Sequence, residues 1–227
     1  MEEHALYLIV SGLHVPTFGL PAHTALMLYI SVFLIVGSLI LKGTLSVVPG
    51  KIQSVVEIII EGFIGLADET MGKKGKIFIP AVITFFIFIL ISNALGMIPG
   101  LLPPTASLNT TAALAIVVFI TTHIVGVVIH GPKYIKHFMG PYWWLAPIMM
   151  PIEIFSHIAR PLSLSFRLFG NMFGHEQLIM VLLLLMPYSA FMLMFSTVLG
   201  VLAIVLQAFI FALLTMAYIG GAIEEAH

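Results

Sequence analysis

Long apolar segments alternate with short polar ones along this chain, and the pattern predicts five membrane-spanning helices. A helix needs about 20 apolar residues to span a bilayer. The last two segments are longer than a perpendicular span requires, so we expect a tilted helical hairpin that turns at Pro187. The fold class is therefore an all-α polytopic membrane protein. The predicted spans are residues 24–42, 77–98, 107–130, 147–186 and 188–223.

Residues 51–72 show a different pattern, in which polar and apolar residues occupy opposite faces of a helix. The apolar face carries Ile, Val and Phe, whereas the polar positions are Ser54, Glu57, Glu61 and Asp68. This pattern is typical of an amphipathic helix that lies in the membrane interface. A helix that packs on a small extramembrane cap is the alternative interpretation, and the pattern favours the interface.

The composition supports a membrane protein and excludes several other classes. The 227 residues are 60% hydrophobic and 8% charged, whereas a soluble domain has about a quarter charged residues. The chain has no cysteine, so it contains no disulfide and no thiolate metal site. A formal net charge of −1 gives no argument for nucleic-acid binding.

The basic residues predict the orientation in the membrane. The external segment 1–23 and the loop 99–106 contain no Lys or Arg. The positive-inside rule therefore places the N-terminus outside and the C-terminus in the cytoplasm. The first span is expected to remain in the mature protein, because the N-terminus lacks the basic region of a signal peptide. The lysines between spans are Lys42, Lys51, Lys73, Lys74 and Lys76 before the second span, and Lys133 and Lys136 before the fourth.

The fourth predicted span carries its polar side chains as one stripe. On an ideal helix these residues lie within about 80° of Arg167. The stripe is about 33 Å long at 1.5 Å per residue, close to the hydrocarbon thickness of about 30 Å. The residues of the stripe are Glu153, Arg160, Arg167, Asn171 and His175.

Arg167 has no predicted counter-ion within the chain. A central arginine costs about 2.5–3.5 kcal/mol on insertion scales, and its guanidinium does not lose its proton. Glu153 lies about 21 Å away along the helix, and Glu176 falls at about 180°, on the opposite face. We therefore expect the anion on another subunit, which the small residues around the arginine would let approach closely. These small residues are Ser163, Gly170 and Gly174.

Asn93 in the second span and Gln207 in the last are uncharged polar residues at membrane depth. Either residue could line a chain of waters that passes protons. Alternatively, each could form only a helix–helix hydrogen bond, worth about 0.6–2 kcal/mol. The histidines at positions 123, 130, 137 and 157 show no metal-ligand spacing and receive no predicted role.

Three motifs resemble subunit a of the F-type ATP synthase membrane sector. They are "RPLSLSFRLFGNMFGHE" at 160–176, "LQAFIF" at 206–211 and "NALGMIP" at 93–99. The similarity covers nearly the whole chain. The resemblance implies a non-catalytic stator subunit beside a rotating ring of c subunits, each with a membrane carboxylate. It also implies b subunits of the peripheral stalk as partners, an indirect link to the soluble ATPase head, and no cofactor.

The resemblance also implies roles for individual residues. Arg167 matches the essential arginine between two aqueous half-channels that load and unload the ring. Some relatives have a small residue where His175 stands and a histidine where Gly200 stands, so we expect these two positions to be adjacent across the hairpin. The resemblance places Asn171, Glu176 and Gln207 in the outer half-channel and Asn93 near its entrance. It places Ser163 and Glu153 toward the cytoplasmic half-channel.

Two other functions are compatible with a polytopic membrane protein. A secondary transporter with a buried ion or substrate site would often show inverted repeats, which are not evident here. A purely structural anchor would not require an ionisable stripe as long as the bilayer is thick. The sequence contains no P-loop pattern for ATP chemistry. It favours H+ over Na+ as the coupling ion, and a bacterial inner membrane as the location.

Overall fold

The computed structural model describes residues 20–97, 103–131, 134, 146–185 and 190–224. These residues form six α-helices and two short 3-10 helices, Lys73–Phe78 and Pro104–Ala106, and no strand. The all-α fold class is therefore confirmed. The α-helices are α1 (Ala22–Thr44), α2 (Lys51–Thr70), α3 (Ile79–Leu95), α4 (Leu108–His130), α5 (Ala146–Leu185) and α6 (Ala190–Glu224).

Among the described residues, four helical segments are long and apolar enough to cross a membrane. Helix α5, which carries the ionisable stripe, is not among them. That α5 crosses the membrane and that α2 lies in the interface both stay predictions. The predicted turn at Pro187, the segment 1–19, Lys133 and Lys136 lie outside the described residues. The four segments are His23–Gly43, Lys73–Leu95, Leu108–His130 and Met194–Glu224.

The chain divides into two compact units. One unit contains α1, residues 87–111, and parts of the final hairpin, namely residues 168–185 and 190–209. Its core is formed by apolar residues that each of these segments buries. The short helix Pro104–Ala106 contacts α1. The buried residues include Ala25 and Ile30 of α1, Ile89 of α3, Leu168 and Met172 of α5, and Ile204 and Ala208 of α6.

The other unit contains α2 and parts of α3 to α6, namely residues 45–86, 112–167 and 210–224. Helix α2 packs on α3 through Phe63 and Phe86, whose ring centroids are 4.9 Å apart. Helix α6 approaches the end of α2 so closely that a Cβ on Gly220 would lie 3.2 Å from the carbonyl carbon of Thr70. Only glycine permits this approach, because every other residue carries a Cβ.

The exposed surface is rich in large apolar side chains, as a lipid-facing surface requires. On α1, Phe33 is 66% exposed and Leu39 is 63% exposed. On α2, Val55 is 58% exposed and Ile58 is 68% exposed, which a helix in the interface would place against lipid. A soluble monomer rarely exposes contiguous apolar surface on this scale.

Candidate functional site

Arg167 lies on a face of α5 that the described residues leave uncovered. Its side chain is exposed, and it forms no ion pair or hydrogen bond within the described part of the chain. Ser163, Gly170 and Gly174 are also exposed. A Cβ built on either glycine would meet nothing within 4 Å. The space beside the arginine is therefore open to a second protein surface.

Asn171 and Gln207 join the two helices of the final hairpin. The amide Nδ2 of Asn171 donates a hydrogen bond of 2.5 Å to Oε1 of Gln207. Gln207 is only 1% exposed, and its Nε2 has no hydrogen-bond partner among the described residues. Gln207 thus forms a helix–helix hydrogen bond, as one of the two interpretations of this residue expected. Its second amide atom remains a buried donor available to water.

His175 fills the space that Gly200 leaves on the facing helix. A Cβ on Gly200 would lie 2.8 Å from Cε1 and 3.3 Å from Cδ2 of the imidazole, and closer still to Nε2. Nε2 also lies 3.4 Å from the carbonyl oxygen of Ser196. The predicted adjacency of positions 175 and 200 across the hairpin is therefore confirmed.

Asn93 is fully buried near the end of α3. The hydroxyl of Thr105 donates a hydrogen bond of 2.6 Å to Oδ1 of Asn93, while Nδ2 of the asparagine has no partner in the described residues. No local pattern in the sequence indicated a role for Thr105, which lies in the short 3-10 helix Pro104–Ala106, twelve residues after Asn93. Its contact depends on the loop that follows α3.

The compact unit that contains α1 collects several buried polar atoms that have no partner among the described residues. Buried polar groups in native proteins are hydrogen-bonded, and ordered water supplies the bond where protein does not. Glu176 adds a half-buried carboxyl group with no hydrogen-bond or ion-pair partner among the described residues. The unit therefore offers water a series of buried polar positions. The atoms that find no partner in the described part of the chain are His23 Nδ1, Ser92 Oγ, Asn93 Nδ2, Ser196 Oγ and Gln207 Nε2.

Glu153 and Arg160 lie in the other compact unit, on the N-terminal half of α5. An oxygen of the Glu153 carboxylate lies 3.3 Å from Nε2 of His157, one helical turn later. The guanidinium carbon of Arg160 lies 5.7 Å from the ring centroid of Tyr218, within the range of a cation–π interaction. Arg160 is thus held against α6 rather than being merely extended toward water.

A group of four residues, here the histidine cluster, surrounds the Glu153–His157 contact. The cluster comprises Glu153, His157, His123 and Tyr134. The His123 and His157 rings are 5.1 Å apart between centroids, and the Tyr134 hydroxyl lies 3.2 Å from Nδ1 of His123. No group of three or more His, Cys, Asp or Glu side chains in the described residues is arranged so that it could hold a metal ion. Sequence reasoning missed this cluster, although the Glu153–His157 spacing of four was a visible signal.

Comparison with known proteins decides the family. Residues 23–220 match the family described as ATP synthase A chain. The chain belongs to this family. ATP synthase subunit a of Geobacter sulfurreducens is 49% identical over 219 residues, which cover 96% of this chain and 94% of that protein. ATP synthase subunit a 1 of Syntrophotalea carbinolica is 50% identical over 210 residues, which cover 92% and 89%.

Membership of the ATP synthase A chain family confirms the resemblance inferred from the three motifs. Together with the four apolar helices, it makes the chain an integral membrane protein. The residues predicted for the site fall into both compact units. Asn93, Asn171, His175, Glu176 and Gln207 belong to the unit with α1, and Glu153, Ser163 and Arg167 belong to the unit with α2.

Proposed function

We propose that this chain is the proton-translocating stator subunit of a rotary ATP synthase, and that Arg167 separates two aqueous half-channels. The observation that carries the proposal is the uncovered arginine. A permanent cation on a lipid-embedded surface is costly unless an anion or water meets it. The described residues supply no anion to Arg167. A carboxylate on each subunit of a c ring would supply it from outside the chain.

The outer half-channel runs through Asn93, Asn171, His175, Glu176 and Gln207. Support comes from the buried amide atoms of Asn93 and Gln207, which lack protein partners among the described residues. Waters bound to such atoms form hydrogen-bonded chains along which protons move. Glu176 and His175 are the members that can themselves accept and release a proton, which favours H+ as the coupling ion.

The cytoplasmic half-channel involves Ser163 and Glu153. Ser163 lies one turn before Arg167 on α5 and is exposed, and Glu153 is partly exposed. Both residues precede the arginine in α5, whereas Asn171, His175 and Glu176 follow it. Arg167 therefore stands between the two sets in the order of the helix.

Rotation follows from electrostatics at the arginine. A ring carboxylate that reaches Arg167 loses its proton to one half-channel, because the cation favours its charged form. The carboxylate then passes as an anion and takes up a proton from the other half-channel. The fixed positive charge repels protons and so prevents a direct leak. The chain itself does not act on ATP, and its partners would be the c ring, the b subunits and, indirectly, the soluble head.

The orientation follows from the lysine distribution, with the N-terminus outside and the C-terminus in the cytoplasm. Bacterial relatives are named ATP synthase subunit a, which supports a bacterial inner membrane as the location.

The decisive test replaces Arg167 by lysine and by alanine in the assembled complex. We expect Arg167→Lys to assemble but to abolish ATP-driven proton pumping, because a lysine presents a compact ammonium that can lose its proton when desolvated. Arg167→Ala should additionally let protons leak, since the barrier between the half-channels is gone. The assay is acidification of inverted membrane vesicles, with passive leak measured after the soluble head is removed.

Arg160→Lys is the matched control, because it makes the same change two turns earlier on the same helix. It should keep most of the pumping, since lysine also interacts with the face of Tyr218. Near-normal pumping by Arg167→Lys, with the subunit confirmed in the complex, would contradict the proposed role of the arginine.

A further inference from the structure

The histidine cluster places three titratable groups in sequence between a partly exposed position and the interior of the protein. The Glu153 side chain is 32% exposed, whereas that of His157 is 4% exposed. A carboxylate oxygen of Glu153 lies 3.3 Å from Nε2 of His157. The ring centroids of His157 and His123 are 5.1 Å apart. The arrangement thus leads from water into a buried site in two short steps.

We propose that Glu153, His157 and His123 form a proton-collecting relay that serves the cytoplasmic half-channel. The proposal rests on the proposed function, because it assumes that protons cross beside Arg167. Glu153 takes a proton from water and gives it to Nε2 of His157. His157 passes it, directly or through one water, to His123, which releases it toward the half-channel. Each step moves one proton, so no other reactant is needed.

The chemistry of the three side chains suits this task. Histidine is the side chain whose unperturbed pKa, about 6.5, lies closest to neutral pH, so it both accepts and releases protons there. A carboxylate beside an imidazole orients the ring and stabilises its protonated form, as in many acid–base sites. Tyr134 fixes the second ring through the 3.2 Å contact with Nδ1 of His123.

The other elements packed around the cluster add one charge and little further polarity. A cavity beside the histidines is lined by Phe119 and Thr122 of α4, Arg160 of α5 and Tyr218 of α6. Arg160 is the additional cation, and its stacking on Tyr218 holds it in place. The carboxylate of Glu153 is in contact with His157. A proton on the cluster therefore has a defined counter-ion.

The location agrees with a role on the cytoplasmic side. Glu153 and His157 lie in the N-terminal half of α5, and His123 lies in the C-terminal half of α4. Both helix ends adjoin the segment that contains Lys133 and Lys136, which the positive-inside rule places in the cytoplasm.

The test uses His157→Gln and His123→Gln in the complete complex, because glutamine can hydrogen-bond but does not titrate near neutral pH. Passive proton flux is measured in inverted vesicles stripped of the soluble head, with a potassium diffusion potential that drives protons inward. The cytoplasmic side faces the medium in these vesicles, so the medium pH sets the supply of protons to the relay. Flux is normalised to the amount of the subunit in the membrane.

We expect each variant to match wild type within about twofold near pH 6, and to fall about fivefold below it near pH 8, where the supply of free protons limits uptake. The double variant should be no worse than either single variant, because the two histidines act in series. His130→Gln is the matched control. His130 is another histidine of α4, its Nε2 lies 3.0 Å from the carbonyl oxygen of Ala222, and it has no part in the relay.

A merely structural role would lower flux by the same factor at every pH, and that result, like unchanged flux, would overturn the proposal. If one single variant fails to assemble, the other decides the question by the same comparison. Arg167→Ala vesicles are measured alongside. If they leak while the histidine variants show no pH-dependent loss, the relay is wrong and the proposed function stands. If they do not leak, the proposed function itself is wrong.

Discussion

The contact between His175 and Gly200 allows a prediction about reciprocal substitution. The structure places the imidazole where the side chain of residue 200 would lie, so one volume serves both positions. We expect Gly200→His to lower proton flux more than either His175→Gly or the double variant does. His175→Gly should cause an intermediate loss, because it removes the imidazole without creating a clash. The double variant should recover flux relative to His175→Gly, since it returns an imidazole to the same space from the facing helix.

The free-energy cost of packing two imidazoles into this space depends on how firmly His175 is held. Overpacking a well-packed site costs about 1–3 kcal/mol. Among the described residues the imidazole has one polar contact, in which Nε2 lies 3.4 Å from the Ser196 carbonyl oxygen, near the outer limit of a hydrogen bond. The ring can therefore move aside, and we expect a cost of about 1–2 kcal/mol for Gly200→His, or a factor of about 5–30 in an equilibrium. Most of this cost should disappear in the His175→Gly background.

The assay is passive proton flux in vesicles stripped of the soluble head, at matched amounts of the subunit. Thermal stability of the complex in detergent gives an independent reading of the packing cost. Gly37→Ala is the control, since a Cβ at Gly37 of α1 would meet nothing within 4 Å and should change neither quantity. If the double variant carries no more flux than His175→Gly, the two side chains do not share a functional site and the reasoning fails.

Two further predictions concern the same compact unit. Glu176→Gln should slow passive proton flux and leave assembly intact, because the half-buried carboxyl group is replaced by an amide of similar shape that cannot exchange protons; wild-type flux would remove Glu176 from the path. Asn171→Leu should lower the thermal stability of the complex more than Gln207→Leu. Asn171→Leu leaves the buried amide oxygen of Gln207 without its donor, at a cost of about 1–3 kcal/mol. Gln207→Leu removes the buried amide group itself. Equal or reversed losses of stability would contradict this.

The helices could be predicted from the sequence because each depends on local composition. A run of about 20 apolar residues has few alternatives to a helix in a bilayer, where every backbone group must bond within its own segment. The ionisable stripe of α5 stays a prediction, which rests on a related argument. Charged side chains are rare in such a segment, so their spacing alone indicated that they share a face.

The contacts of the candidate site could be predicted only where two side chains are reciprocal in size. The large His175 and the absent side chain of Gly200 indicated one shared volume, and the structure confirms their adjacency. Thr105 bonds to Asn93 across twelve residues that include a loop, so no local pattern indicated it. The contact of His123 with His157 joins two helices, and no spacing in the sequence indicated that these two residues are close.

The distribution of satisfied and unsatisfied polar groups shows where this chain depends on its assembly. Asn171 bonds to Oε1 of Gln207, and the Glu153 carboxylate lies 3.3 Å from Nε2 of His157, so each of these groups has a polar neighbour within the chain. Arg167 is more expensive to place in a membrane than any of these groups, yet it lies exposed beside residues that leave room for a neighbour. A chain selected for its own stability would have paired this ion internally. The open arginine is therefore best explained by an anion that must arrive and leave, which an internal partner would prevent.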